Sequence, residues 1–139
     1  MSVMNPGISV FFSVTVDSFD LGDWTKMTGL GMTITTTDRP ESAMNFFQHH
    51  LPAAMVYDEV TLERPISPET GAVIAWLNAY HMLPVPTAGQ IQCLDQSGSV
   101  VMTWSMFGVS PVRWAGPTMD AGSNAIAMET LKLRHMGFM

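Results

Sequence analysis

The chain has 139 residues, a length that suits one domain able to bury a core without disulfides or metal. Charged residues make up 13%, about half the usual share of roughly 25%, and the net charge is −6 with the six bases (Lys26, Arg39, Arg64, Arg113, Lys132, Arg134) scattered, which argues against binding nucleic acid through its phosphates. No apolar run approaches the ~18 residues of a membrane-spanning helix, so the sparsely charged surface is expected to meet other protein subunits, with no stable membrane association.

From Ile8 to Val16 the residues alternate, with Ile8, Val10, Phe12, Val14 and Val16 on one face. Period two predicts a strand. Asp17 to Asp23 reads as a polar connection. Met32, Ile34 and Thr36 alternate with Thr33, Thr35 and Thr37, a second strand rich in β-branched residues, with Gly29 and Gly31 suggesting a bend at its start. Arg39 to Ala54 shows no clean period. It carries Met44, Asn45, Phe46, Phe47, His49, His50 and Leu51 and reads as a long functional connection. Val56 to Arg64 reads as one strand, with Val60 and Leu62 opposed to Thr61 and Glu63.

One helix follows. Ser67 suits its N-cap, Pro68 its first position and Glu69 its first turn. Val73, Leu77 and Tyr80 form a stripe with Ile74 and Trp76 beside it, and Pro84 and Pro86 end it. Gln90 to Asp95 and Ser99 to Val109 flank Gln96-Ser97-Gly98, a hairpin whose strands carry little charge on either face. Pro111 to Ser123 reads as a turn-rich link. Asn124 to Met136 is the last strand, with Ala125, Ala127, Glu129, Leu131, Leu133 and His135 on one side. The 13 methionines fit either a tolerant core or adaptable contacts between subunits.

Little in the chain points to catalysis. His49-His50 are adjacent on an extended segment and point apart, so no metal is expected. Cys93 sits in a predicted strand as an inert thiol, and a single cysteine fits a protein made in a reducing cytoplasm. The beginning of the sequence lacks the basic and cleavage features of a secretory signal. Gly29-Leu30-Gly31 opens no phosphate-binding motif, so no cofactor is expected. With no convergent set of titratable residues, the protein is not expected to be an enzyme.

The ending is the most specific part. Trp114-Ala115-Gly116-Pro117-Thr118-Met119-Asp120-Ala121, then Ala125-Ile126-Ala127-Met128-Glu129-Thr130-Leu131-Lys132-Leu133, then His135-Met136-Gly137-Phe138, resembles the ending of the inner tail tube family of contractile phage tails and phage-tail-like injection systems. Lys26-Met27-Thr28-Gly29-Leu30, Val60-Thr61-Leu62-Glu63-Arg64 and Trp76 resemble further family positions, in family order, although Glu63 stands where many relatives carry a base. The resemblance implies one mainly β domain over residues 1–139: a small antiparallel β-barrel or sandwich with one flanking helix, joined to its neighbours in a ring-wide β-barrel.

It also implies hexameric rings stacked into a tube within a phage tail or injection particle. The implied partners are other copies of the chain, a contractile sheath protein, and baseplate and tube-terminating proteins, with DNA or protein cargo passing through. Gly29, Leu30, Trp76, Trp114, Asp120, Ala121 and Glu129 are implied to be architectural, and the segment holding Met44 to Leu51 to contact neighbours. Asp58, Glu59 and Asp95 are candidate lumen acids. Two alternatives are a monomeric ligand-binding β-barrel and a secreted type VI-like tube protein.

Overall fold

The structure, a computed structural model, describes residues 10–37, 51–117, 121–122 and 127–139. The chain opens with a hairpin of β1 (Phe11–Val16) and β2 (Phe19–Trp24), turned at Asp17 in the left-handed region. β3 (Lys26–Thr28) follows after one residue. β4 (Met32–Thr37) and β5 (Leu51–Tyr57) pair with each other, and β6 (Val60–Pro65) leads into α1 (Thr70–Met82). β7 (Thr87–Leu94), β8 (Val100–Ala115), β9 (Met128–Arg134) and β10 (Gly137–Phe138) complete the described elements.

The main sheet runs β2-β1-β7-β8-β9-β6-β3, with β10 also on β8, and every pair is antiparallel. Its two ends, β2 and β3, are separated only by Thr25, whose N–H donates to the Glu63 carbonyl at 3.0 Å. One continuous stretch of chain therefore pairs with β1 and then with β6, and the sheet rolls into a barrel. Closure removes most free edges. Inside lie Val14, Leu21, Trp24, Ile91, Met106 and Leu131, all fully buried. α1 covers the barrel beside β2 with Val73 and Trp76, and Leu77 adds to the cluster from part-buried positions.

The fold class read from the sequence holds: a mainly β antiparallel structure with one helix. Several elements differ from expectation. Asp17 to Asp23 is a tight turn followed by strand β2, not a connection. A bulge there pairs Gly22 with Val14 and Asp20 with Thr15, so Leu21 has no partner of its own. Leu21 and Trp24 then both face inward at a spacing of three, which hides the two-residue period.

The segment read as a connection from Arg39 to Ala54 becomes strand by Leu51, and the strand expected over Val56 to Arg64 breaks at Asp58-Glu59, because β5 pairs with β4 while β6 joins the barrel. The helix begins at Thr70, with Ser67 capping a preceding turn by accepting from the Glu69 N–H at 3.2 Å. Pro111 to Ala115, read as part of a link, continues β8 across a bulge between Pro111 and Arg113, a place where a strand accommodates proline.

Candidate functional site

Three features stand out from the barrel. The first is a buried polar knot near the end of the β6–β9 ladder, beside the start of α1. Arg64 and Glu129 are cross-strand partners on β6 and β9 that both point inward, at 2% and 0% exposure. Arg64 Nε donates to Glu129 Oε2 at 3.0 Å, and Trp114 Nε1 donates to Glu129 Oε1 at 3.0 Å. The Thr70 hydroxyl also donates to Glu129 Oε2, tying the first turn of α1 to the barrel. Arg64 Nη1 reaches the Leu21 carbonyl at 2.7 Å and the Glu69 carboxylate at 3.1 Å, and its guanidinium lies 3.9 Å over the Trp24 ring. One ion pair thus joins β2, β6, β8, β9 and α1. A buried pair is tolerated when its remaining lone pairs and protons find partners, and most of them do here. Nearby Asp23 has its carboxyl raised above the ordinary value, first by burial, then by Glu69 and Asp20, with Arg64 pulling the other way.

The second feature is the β4–β5 hairpin, which belongs to no larger sheet. Met32, Ile34, Met55 and Tyr57 share one face by register. Ile34 is 56% exposed and Met55 51%, with Met32 and Val56 also exposed. A two-stranded hairpin is marginal alone, and apolar residues on an outstanding arm favour contact with another surface. At its base Tyr57 packs against His135 (ring centroids 5.3 Å) and Phe138 (5.7 Å). His135 is buried with neither ring nitrogen hydrogen-bonded, and burial holds its pKa below the ordinary imidazole value, partly offset by the Gly137 backbone.

The third is the start of β8. β7 pairs along one edge of Val100–Trp104, and among the described residues no strand pairs along the other. Val100, Val101 and Met102 are exposed there, Val101 at 63%. An unpaired edge with apolar side chains is a template for a strand from another chain.

The residues singled out from the sequence fall into several places. Gly29 lies before β4 with φ +93°, and an added Cβ would strike the Glu59 carbonyl, so both its conformation and its space require glycine. Leu30 packs partly against the core, and Trp76 is in it. Trp114 and Glu129 meet in the knot. Ala121 is exposed in a turn. Met44, Asn45, Phe46, Phe47, His49, His50 and Asp120 lie outside the described residues, and Leu51 opens β5.

The candidate lumen acids do not gather. Asp58 and Glu59 lie at the foot of the hairpin, with Glu59 3.4 Å from Arg134. Asp95 staples the β7–β8 turn: its Oδ1 accepts from the Ser97 hydroxyl at 2.7 Å and the Ser99 N–H at 2.9 Å. The Ser97 hydroxyl first, and the Ser99 backbone next, hold its carboxyl below the ordinary range. Sequence reasoning did not single out Arg64, although its charge inside an apolar alternation was a visible signal. Among the described residues no three His, Cys, Asp or Glu side chains come together as metal ligands do.

Residues 9–139 match the family model described as T4-like virus tail tube protein gp19. No curated protein sequence matches the chain. Among solved structures, it resembles a chain of the sheath-tube complex of an extracellular contractile injection system, PVC, in the extended state. That likeness has a TM-score of 0.70 and 22% identity over 92% of this chain and 86% of that one. A chain of the 6-fold symmetrised anti-feeding prophage baseplate matches with a TM-score of 0.65 and 21% identity, over 100% and 96%. A type six secretion system protein matches with a TM-score of 0.53 and 9% identity, over 91% and 80%. At these identities the structural likenesses speak to the fold.

Proposed function

The chain belongs to the T4-like virus tail tube protein gp19 family, a structural and not an enzymatic family, and from that premise we propose that its copies close into hexameric rings that stack around a channel. It is a tail tube protein of a contractile phage tail or of a tail-like injection particle. The observation that carries the ring reading is the β4–β5 arm, which exposes Met32, Ile34, Met55 and Val56 away from its own barrel. Such an arm gains stability by lying on a neighbouring copy. The free edge at Val100–Trp104 offers the complementary device, continuation of a sheet from one subunit to the next.

The further partners are a contractile sheath protein outside the tube and baseplate and terminating proteins at its ends. A chain of similar fold occurs in the sheath-tube complex of an extracellular contractile injection system and another in the anti-feeding prophage baseplate. The shared fold with a type six secretion system protein is compatible with a secreted tube, but family membership favours the tail. A monomeric ligand-binding barrel is disfavoured by an interior filled with Leu21, Trp24, Ile91 and Met106.

Electron microscopy of the purified, concentrated protein, with its solution mass, tests this reading. Rings of six or stacked tubes with an open channel are expected. A monomer that stays single at high concentration, even with baseplate components added, overturns it.

A further inference from the structure

Charge is not spread evenly around the barrel. Strands β1 and β7 and the first ten residues of β8, Val100 to Val109, contain no Asp, Glu, Lys, Arg or His. The other half, β3, β6 and β9 with the end of β8, holds Lys26, Glu63, Arg64, Arg113, Glu129, Lys132 and Arg134. In the uncharged half Val14, Ile91 and Met106 point inward. The outward positions therefore form cross-strand rows by register. Ser13 faces Gln92, which faces Thr103, and Thr15 faces Gln90, which faces Ser105. Acids border this face: Asp17 after β1 and Asp95 after β7 in the turns, and Asp23 and Asp20 on β2, which face Ser13 and Thr15 along its outer edge. Between them lies a face without charged side chains about 20 Å long, at ~3.3 Å per residue, its two middle rows hydroxyl and amide and its ends apolar with Phe11, Leu94, Val101 and Phe107.

We propose that this face of β1, β7 and β8 lines the channel, and that its neutrality suits polypeptide cargo of either charge sign. The proposal rests on the tube reading above. A lining of fixed sign, repeated in every copy, binds cargo of the opposite sign and stalls it. Duplex DNA carries one sign only, at one charge per ~1.7 Å, so a channel for DNA alone gains from an acidic wall that repels it. This face offers no such wall. It offers groups that exchange hydrogen bonds with water as readily as with a passing chain, which limits net attraction. The edge at Val100–Trp104 continues the same three strands, so pairing there extends the neutral face to the next copy. The charged half is left for the outer wall.

The test has two arms, both on assembled full-length tubes. In a Cys93→Ala background, Gln92→Cys or Thr103→Cys is compared with Thr130→Cys on the charged half. Gln92→Cys and Thr103→Cys are expected to react with a small maleimide but to resist a large polyethylene-glycol maleimide, while Thr130→Cys reacts with both. The reverse pattern overturns the lining. Failure to form any tube in the parent protein overturns the tube reading itself and is seen before labelling begins.

In the second arm, tubes are mixed with fluorescent unfolded polypeptides of net positive and net negative charge and with a short DNA duplex. Wild-type tubes are expected to retain both polypeptides weakly, within about twofold of each other at low salt. Gln92→Glu tubes should hold the basic polypeptide, and Gln92→Lys tubes the acidic polypeptide and the DNA, by about tenfold more, because the charge repeats in each copy. Selective retention of one sign, or of DNA, by wild-type tubes overturns the cargo assignment.

Discussion

At the scale of single residues, Glu129 bears the most consequence. Its carboxylate accepts from Arg64, Trp114 and Thr70 at once, so removing it leaves a buried guanidinium with only Glu69 and backbone carbonyls nearby. Glu129→Ala is expected to lower stability by about 3–5 kcal/mol, the usual cost of breaking a buried pair from one side. Thermal unfolding should show a Tm lower by roughly 10 °C or more. Replacing both partners, as Arg64→Met with Glu129→Leu, should restore much of that loss; a double variant no better than the single would mean the knot is not an isolated charge problem. His135 makes a different prediction. Its folded pKa lies below the ordinary 6.5, so below that value the unfolded chain takes up the proton more readily than the folded one. Stability is then fully present above about pH 6.5 and falls as pH drops towards the folded pKa, by at most about 1.4 kcal/mol per pH unit. Denaturant titrations of wild type and His135→Phe between pH 7 and 5 should diverge in this way, and parallel curves would remove His135 from the account.

At the scale of elements, the arm and the free edge are expected to serve assembly and not folding. Ile34→Asp places a charge on the apolar face of the β4–β5 arm, where the side chain already meets solvent in the monomer. Its melting temperature should stay within about 2 °C of wild type, since exposed substitutions usually cost under ~0.5 kcal/mol. Ring and tube formation should be lost. Val101→Lys on the β8 edge should act alike, because an edge lysine blocks strand addition. A folded variant that still forms tubes would show that its element lies outside the interface. These two elements also mark where the sequence was legible and where it was not. The β4 alternation was plain, and so was the β7–β8 hairpin around Gln96-Ser97-Gly98, because each has a regular period and a local turn. β2 was hidden by the bulge at Leu21, and the end of β8 by Pro111, because a barrel bends its strands where glycine, proline and extra residues read as turns. The resemblance singled out Trp114 and Glu129 without their physical role. Their meeting with Arg64 depends on three strands and a helix brought together from distant parts of the chain, which no local pattern encodes.

At the scale of the whole molecule, low charge and net acidity fix what kind of force holds the copies together. Each chain carries a net −6, so copies in the proposed ring would repel one another at long range, and the exposed apolar arm and edge would be left to supply the attraction. Burying about 800 Å² per partner in each contact is the ordinary scale of a stable interface. At roughly 25 cal/mol per Å² it outweighs the ordering costs only if the contact is well packed. Salt acts on these two terms in opposite senses. It screens the repulsion, with a Debye length near ~10 Å at 0.1 M and ~3 Å at 1 M, and leaves apolar burial intact or strengthened. The concentration needed for tubes to form, read by sedimentation or light scattering, is therefore expected to fall as sodium chloride rises from about 0.05 to 1 M. Tubes already formed should survive the higher salt. Dissolution of the tubes by salt would mean that ionic contacts hold the rings, and would move the interface from the arm and the β8 edge to the charged half around Arg113, Lys132 and Arg134.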